Sequence, residues 1–459
     1  MVDTALFSVK DAAALCKGEY LGPTVSPLCR EVVLDSRRIQ GDELFVPLKG
    51  ERTDGHYHIM QALEAGASGV LCRREFLLEN RKLLAFQDKA AIILVPDTLA
   101  ALQALAEGYL AGFPQLLKIG ITGSSGKTTT KEILGSIFSL FTPTVMNEGN
   151  LNSESGLPLS VLQVRGDHRF GIFEMGINHP GEMDVLVRVA KPQAAVITNV
   201  GSAHIGLLGS RERIAEEKRK IFFHLTSDGA AFLPEDEPYR EYLLQGVSAP
   251  VVLFGPRSVE GYKDSRSLGL HGWEMQFADR LIHFPLIGEF NLKNALCGIT
   301  VARYFGVDDL TICTGLERVK PLFGRGQILH GRATVLHDCY NANPHSLSEA
   351  IHFLDMLDWK GRKIAVLGAM KELGEETESA HEVITREAAS SGLDLLCLVG
   401  EEFHATLETA ERKKPGRVLW FSNTEDLCES ITDLVGSGDI VLVKGSRDMA
   451  LERITDFIV

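Results

Sequence analysis

The chain has 459 residues, of which 45% are hydrophobic and 24% charged, the make-up of a globular enzyme with about three domains. Its net charge of −14 argues against nucleic acid as a partner, and any anionic ligand must be met by local Lys, Arg and backbone amides. No stretch nears about 18 uninterrupted apolar residues, and Met-Val-Asp-Thr-Ala-Leu-Phe at the start lacks a basic segment leading into an apolar core, so a cytoplasmic protein with no membrane contact is expected. The eight cysteines (16, 29, 72, 297, 313, 339, 397, 428) include no Cys-x-x-Cys pair. They read as core residues of a reducing compartment rather than disulfides or zinc ligands.

The first unit, expected over residues 1–98, centres on Val32-Val33-Leu34-Asp35-Ser36-Arg37-Arg38 and on residues 41–50, two short strands bounded by turn residues. An amphipathic helix over 58–67 leads into a strand at 69–72. Asp35, Ser36 and Arg37, and the segment from Lys49 to His56, are dense in polar groups. By composition alone these are solvated loops, although loops are also where binding residues sit. Asp97 then caps a helix that enters a second unit, expected over 99–318.

That unit is organised around residues 122–130, Thr-Gly-Ser-Ser-Gly-Lys-Thr-Thr-Thr, between the apolar run 116–121 and a helix. A buried strand that turns through glycines into a helix is a cradle for polyphosphate. Gly123 and Gly126 let the backbone approach phosphate oxygens, Ser124, Ser125 and Thr129 add amides, and the helix N-terminus favours negative charge. Lys127 has the reach for β- and γ-phosphates, and the Thr128 hydroxyl suits magnesium. The residue five before Gly126 is Ile121, so this is a shortened form of the common phosphate loop.

Polar tips follow the strands of this unit. Asn147 to Pro158 is a polar loop with Asn150, Asn152 and Ser153, and it introduces an apolar helix. The strand 170–174 ends on Glu174, at the edge where open α/β sheets bind ligands, which makes this carboxylate a magnesium candidate. The strand from Ala194 leads to Asn199 and His204, on the same edge and so a candidate for the ligand site. A helix over 211–223 carries Lys218, and its pattern reads as a charged solvent face with Glu216–Lys220 pairing. Short alternating segments over 229–285 are expected to add antiparallel strands at a sheet edge. Asn291 and Asn294 then share one face of the next helix.

The third unit, expected over 319–459, alternates strands (333–337, 363–367, 395–399, 440–443) with helices (344–357, 377–391, 424–435, 448–458), a doubly wound α/β pattern with a mainly parallel sheet. Its tips, Asp338 to Pro344, Gly368 to Gly374 and Lys444 to Arg447, lie on one sheet edge and read as a binding face. The fold class is therefore α/β in three domains: a small N-terminal domain, a phosphate-loop domain and a Rossmann-like domain.

Taken in order, Thr122-Gly-Ser-Ser-Gly-Lys-Thr-Thr, Glu174-Met-Gly, Thr198-Asn-Val-Gly-Ser-Ala-His204, Asn291 with Asn294, Gly324-Arg325-Gly, Asp338-Cys-Tyr-Asn-Ala-Asn-Pro and Lys444-Gly-Ser-Arg resemble the Mur ligase family over nearly the whole chain. Tyr340-Asn-Ala-Asn-Pro344 and Leu367-Gly-Ala-Met-Lys-Glu-Leu-Gly374, with His381, resemble the dipeptide-adding branch. The resemblance implies an ATP-dependent ligase, active as a monomer, that phosphorylates the terminal carboxylate of UDP-N-acetylmuramoyl-tripeptide and gives the acyl group to D-alanyl-D-alanine. It implies that Lys127 and Thr128 serve the γ-phosphate and a first magnesium with Glu174, and that His204 and a carbamylated Lys218 serve a second magnesium. Asn291 and Asn294 would contact adenine, Arg325 a phosphate and Asp338 the ribose. Asp35, Ser36, Arg37 and Lys49 would belong to the UDP-sugar domain. Asn150, Asn152, Ser153, Tyr340, Asn341, Asn343, Lys444, Ser446 and Arg447 would face the peptide substrates. The chain departs from the family pattern at Phe290, Lys220 and Ala369, where histidine, an acidic residue and aspartate are usual.

Other readings are a third-residue-adding ligase, a folylpolyglutamate synthase-like ligase and a phosphate-loop switch protein. The aspartate-asparagine-proline-arginine motif of the first is absent, the hundred residues before the loop disfavour the second, and the third lacks an Asn-Lys-x-Asp element.

Overall fold

A computed structural model describes residues 5–50 and 53–459. Glu51 and Arg52, within the polar loop noted above, and the first four residues, read for a leader, lie outside the described residues. The chain divides into two compact units, one made of residues up to 120 with 142–177 and 181–193, the other of 121–141, 178–180 and 194–459.

The first unit contains a five-stranded sheet in the order Glu19–Leu21, Ala91–Val95, Gly69–Arg73, Glu43–Phe45, Glu31–Val33. The last four are parallel, and Glu19–Leu21 runs antiparallel to Ala91–Val95. Val33, Phe45, Ile59, Val70, Cys72 and Ile92 form its core. Strands buried on both faces read as continuous apolar runs, which is why Ala91–Val95 is buried along its whole length. The predicted helix over 58–67 is shorter, Ile59–Glu64, preceded by a 3-10 turn at Gly55–His58. Asp97 caps Thr98–Leu110, its carboxylate accepting the Ala100 N–H at 2.7 Å. In the same unit Phe170–Glu174 pairs in parallel with Thr144–Met146.

The strand Leu117–Thr122 leads into the phosphate loop, and in the second unit Val251–Phe254, Ala230–Pro234 and Ala194–Ile197 lie side by side in that order in a parallel sheet. The antiparallel edge expected over 229–285 is corrected in part. Ala230–Pro234 and Val251–Phe254 extend this sheet in parallel, because the intervening Arg240–Leu244 helix supplies a crossover. Only Tyr262–Ser267, Trp273–Phe277 and Arg280–Phe284 are antiparallel, and they form a separate three-stranded sheet. The helix after the phosphate loop, Lys127–Phe141, packs on Glu289–Tyr304 and Asp309–Arg318 through two glycines. A Cβ at Gly298 would stand 2.5 Å from Ile133, and one at Gly315 2.6 Å from Ile137; small residues there allow close approach of the supporting helices.

The C-terminal sheet has the order Gln327–His330, Thr334–His337, Ile440–Lys444, Lys363–Gly368, Leu395–Val399, Val418–Phe421. It is parallel apart from Gln327–His330, and Val335, Val366, Cys397, Val441 and Val443 lie in its core. Helices Pro344–Met356, Thr377–Ser390 and Thr424–Leu434 stand close to the expected ranges. The helix expected over 448–458 is broken into the 3-10 turns Arg447–Met449 and Leu451–Ile454 and a short helix Thr455–Ile458, because Ala450 takes a left-handed conformation (φ 48°). All eight cysteines are free thiols, seven of them buried. Burial pushes the thiols of Cys29, Cys72 and Cys397 up to about 12, which suits inert core residues.

Candidate active site

The phosphate loop is held from behind by the neighbouring strand end. Thr198 N donates to Thr122 O at 2.9 Å, and its hydroxyl donates to Ser125 O at 2.5 Å. Asn199 accepts the Ser125 N–H on Oδ1 at 3.0 Å and returns a bond from Nδ2 to Ser125 O at 3.1 Å. Gly201 N donates to Ser124 Oγ at 2.8 Å. A Cβ on Gly123 would collide with Thr198 Oγ1, and one on Gly126 (φ 81°) would sit 2.7 Å from Asn294 Oδ1. Both glycines are thus required by what stands against them. Lys127 folds over the loop, its Nζ donating to Gly123 O at 2.8 Å. The side chains of Thr128 and Ser124 are buried, and Thr129 is half-buried.

Asn291 and Asn294 share a face as predicted. Asn294 Nδ2 donates to Asn291 Oδ1 at 3.3 Å, Asn291 Nδ2 to Ile287 O at 2.8 Å, and Thr130 Oγ1 to Asn294 Oδ1 at 3.3 Å. The pair is buried and braces the loop and its helix.

His204 follows the strand Ala194–Ile197 in a left-handed conformation (φ 61°), with Nδ1 2.6 Å from Glu372 Oε2. That hydrogen bond, opposed by burial, holds the Glu372 carboxyl below its usual range. Lys218 lies in Arg211–Arg219, and its side chain is not on a solvent face as the pattern predicted; it is 2% exposed, and Glu217 is 4% exposed. The expected Glu216–Lys220 pairing is replaced by Glu217–Lys220 at 2.8 Å. The i,i+3 partner wins because Glu217 is carried inward with Lys218. Burial pushes the Lys218 ammonium well below the ordinary lysine value, aided by the charge of Lys127 and opposed by Glu217.

In the first unit, Glu174 is 1% exposed at its strand end. Asn152 Nδ2 donates to Glu174 Oε1 at 2.7 Å, and the Glu174 backbone N–H donates to Asn147 Oδ1 at 2.6 Å. Oε2 is buried with no hydrogen-bond partner, the state of a carboxylate oxygen with capacity for a cation. Among the described residues no cluster of three or more His, Cys, Asp or Glu could hold a metal alone, so any magnesium here would draw on hydroxyl and phosphate oxygens as well. Asn150 and Ser153 are exposed on the loop before Gly156–Val161. Asp35 and Arg37 form a salt bridge at 2.7 Å, which with the Arg37 N–H holds the Asp35 carboxyl down to about 2. Ser36 is buried on Gln61 (3.1 Å), and Lys49 is exposed.

The three C-terminal tips meet. Lys444 Nζ donates to Asp338 Oδ2 at 2.6 Å and to Asn341 O at 3.2 Å, while Lys371 N donates to Ser446 Oγ at 2.8 Å. Arg325 stacks on the Tyr340 ring, 3.9 Å from guanidinium to centroid. Arg447 pairs with Glu452 at 2.7 Å. Asn343 caps Pro344–Met356 and donates from Nδ2 to Ser125 Oγ of the phosphate loop at 3.2 Å. Thr198, Asn147 and Glu372 were not singled out as site residues from sequence. Glu372 stands 168 positions from its partner His204, and no local spacing signals such a pair.

The chain matches the Mur ligase family catalytic domain over residues 29–110, the Mur ligase middle domain over 121–302, and the Mur ligase glutamate ligase domain over 324–447. It is 40% identical over 425 residues, 92% of each chain, to a UDP-N-acetylmuramoyl-tripeptide–D-alanyl-D-alanine ligase of Treponema pallidum. Its fold superposes on MurF of Acinetobacter baumannii with a TM-score of 0.88 over 98% of both chains at 28% identity. It also superposes on a Thermotoga maritima MurF ligase in complex with ADP, with a TM-score of 0.77 over 93% of this chain and 96% of that one at 32% identity.

Proposed function

The chain belongs to the Mur ligase family, and we propose that it joins D-alanyl-D-alanine to UDP-N-acetylmuramoyl-tripeptide in the cytoplasm, converting ATP to ADP and phosphate. The observation that carries this reading is the 92% two-way coverage by a dipeptide-adding relative. The proposed division is a UDP-sugar-binding domain (1–98), an ATP-binding domain (99–318) and a Rossmann-like domain (319–459); three successive family-domain matches, over 29–110, 121–302 and 324–447, support a three-part chain. No helix among the described residues is long and apolar enough to cross a membrane.

The proposed reaction has two steps. A carboxylate oxygen of the tripeptide attacks the γ-phosphorus, the bond to the β-phosphate oxygen breaks, and ADP leaves. The dipeptide amine then adds to the acyl phosphate carbonyl, loses a proton, and the tetrahedral intermediate expels phosphate to leave an amide. Such chemistry needs charge neutralisation and alignment more than a protein nucleophile. The loop from Gly123 to Thr129, including Ser124, Ser125 and Gly126, holds the phosphates through its amides, and Lys127 neutralises the transferring group. Magnesium, when bound, screens phosphate charge and polarises the γ-phosphoryl group. Thr128 and Glu174 would hold one ion and His204 with Lys218 another; the unpartnered Glu174 Oε2 supports the first assignment. A lysine ammonium cannot ligate a cation. Burial favours the neutral Lys218 amine, the form that can add to the carbon of carbon dioxide; with loss of the N–H proton to solvent this would give a carbamate, whose oxygen could serve as the ligand.

Asn291 and Asn294 border the adenine, Arg325 a phosphate and Asp338 the ribose. Asp35, Ser36, Arg37 and Lys49 serve the UDP-sugar, and Asn150, Asn152, Ser153, Tyr340, Asn341, Asn343, Lys444, Ser446 and Arg447 the peptides. Lys444, bound to Asp338, would act by orienting that carboxylate.

The test is ADP release by the purified protein with UDP-N-acetylmuramoyl-tripeptide and magnesium, with and without D-alanyl-D-alanine. ADP formation should need both substrates and fall at least about 100-fold in Lys127→Ala. Dipeptide-independent hydrolysis would overturn the reading.

A further inference from the structure

His204 and Glu372 meet with both residues in the left-handed region, at φ 61° and 63°. Beside them Gly206 N donates to the Glu372 carbonyl at 2.9 Å. A Cβ on Gly206 would collide with the backbone at Gly374, and one on Gly374 would stand 2.8 Å from Gly206 Cα. The two loops are therefore held together through their main chains, independently of the side-chain contact. In that contact the Glu372 carboxylate is an acceptor only, so the ring nitrogen facing it, Nδ1 at 2.6 Å, carries a proton, and of the two neutral tautomers the contact selects the one whose Nε2 has a free lone pair.

We propose that Glu372 is a positioning residue for His204. It fixes the ring orientation and the tautomer that presents Nε2 as a ligand, and it does so from the C-terminal sheet, so the ring is set only while that sheet's loop is seated against it. This rests on the reading of His204 as a magnesium-site residue. A second partner that accepts the N–H of a ligating imidazole commonly governs ligand affinity in this way.

The experiment compares the parent with Glu372→Ala and Glu372→Gln. Glu372 is half exposed and its main-chain bond to Gly206 survives both changes, so folding is retained. The ring-nitrogen spectrum of 15N-histidine-labelled protein, recorded without metal or nucleotide, should show His204 as the Nδ1–H tautomer in the parent and in Glu372→Gln, whose amide oxygen still accepts. In Glu372→Ala it should become a mixture. The magnesium concentration for half-maximal ADP formation should rise about tenfold in Glu372→Ala, with the KM for ATP at excess magnesium unchanged and Glu372→Gln close to the parent. An unchanged tautomer and magnesium requirement in Glu372→Ala would overturn the proposal, as would equal impairment of both variants. A parent that fails to ligate would strike the functional reading instead, and the spectrum would still decide whether Glu372 sets the ring.

Discussion

Gly126 adopts φ 81°, and a Cβ there would stand 2.7 Å from the buried Asn294 amide, so Gly126→Ala demands both a left-handed backbone and displacement of a bracing side chain. The backbone term alone is about 1–3 kcal/mol. The variant should lose stability by that order in urea unfolding and raise the KM for ATP at least about tenfold, since the amides that cradle phosphate move with the turn. Lys218 shows the opposite relation between sequence and role. Its neighbours Glu216, Arg219 and Lys220 give the helix a solvent-facing pattern, yet the side chain is buried beside the charge of Lys127. Its depressed basicity is a product of tertiary burial that no helical periodicity encodes.

The helix Pro344–Met356 begins with a reciprocal cap between Asn343 and Ser346 and with proline in its first turn, an N-terminus readable from sequence. Asn343 also reaches Ser125 of the phosphate loop, so one amide serves two elements. Asn343→Ala should cost about 1 kcal/mol in urea unfolding through loss of the cap and raise the KM for ATP several-fold. Asn343→Ser should recover the stability, because serine caps equally well, while leaving the ATP defect, because its hydroxyl is too short for Ser125. Equal recovery of both properties would show that the contact with the loop contributes nothing.

At the scale of the whole molecule, three histidines, His56, His337 and His381, are almost fully buried. Each is held below the ordinary imidazole value, first by burial, which disfavours the imidazolium form. The unfolded chain therefore binds the extra proton at a higher pH than the folded one, so stability is fully present above about pH 6.5 and is lost as pH falls below it. The melting temperature should drop between about pH 7.5 and about pH 5.5, and His381→Gln should lower the starting stability while making the drop shallower. His381 is chosen because its Nε2 accepts the Met370 N–H at 3.0 Å, behind the C-terminal tips, where protonation would remove the acceptor.

Much of this protein is determined by order along the chain. Glycine spacing, strand-to-helix turns and apolar runs act over a few residues, so the phosphate loop, the strand-end carboxylate Glu174, the paired asparagines and the alternating C-terminal sheet are all legible locally. The last helix was misread because a single left-handed residue, Ala450, breaks it, and alanine carries no turn signal. Tertiary structure alone decided the rest. It buried Lys218, braced the phosphate loop with Thr198 and Asn199, bound Lys444 to Asp338, and set Glu372 against His204. Each of these depends on residues brought together from separate elements, and neither burial nor a partner is a property of a residue's neighbours in sequence.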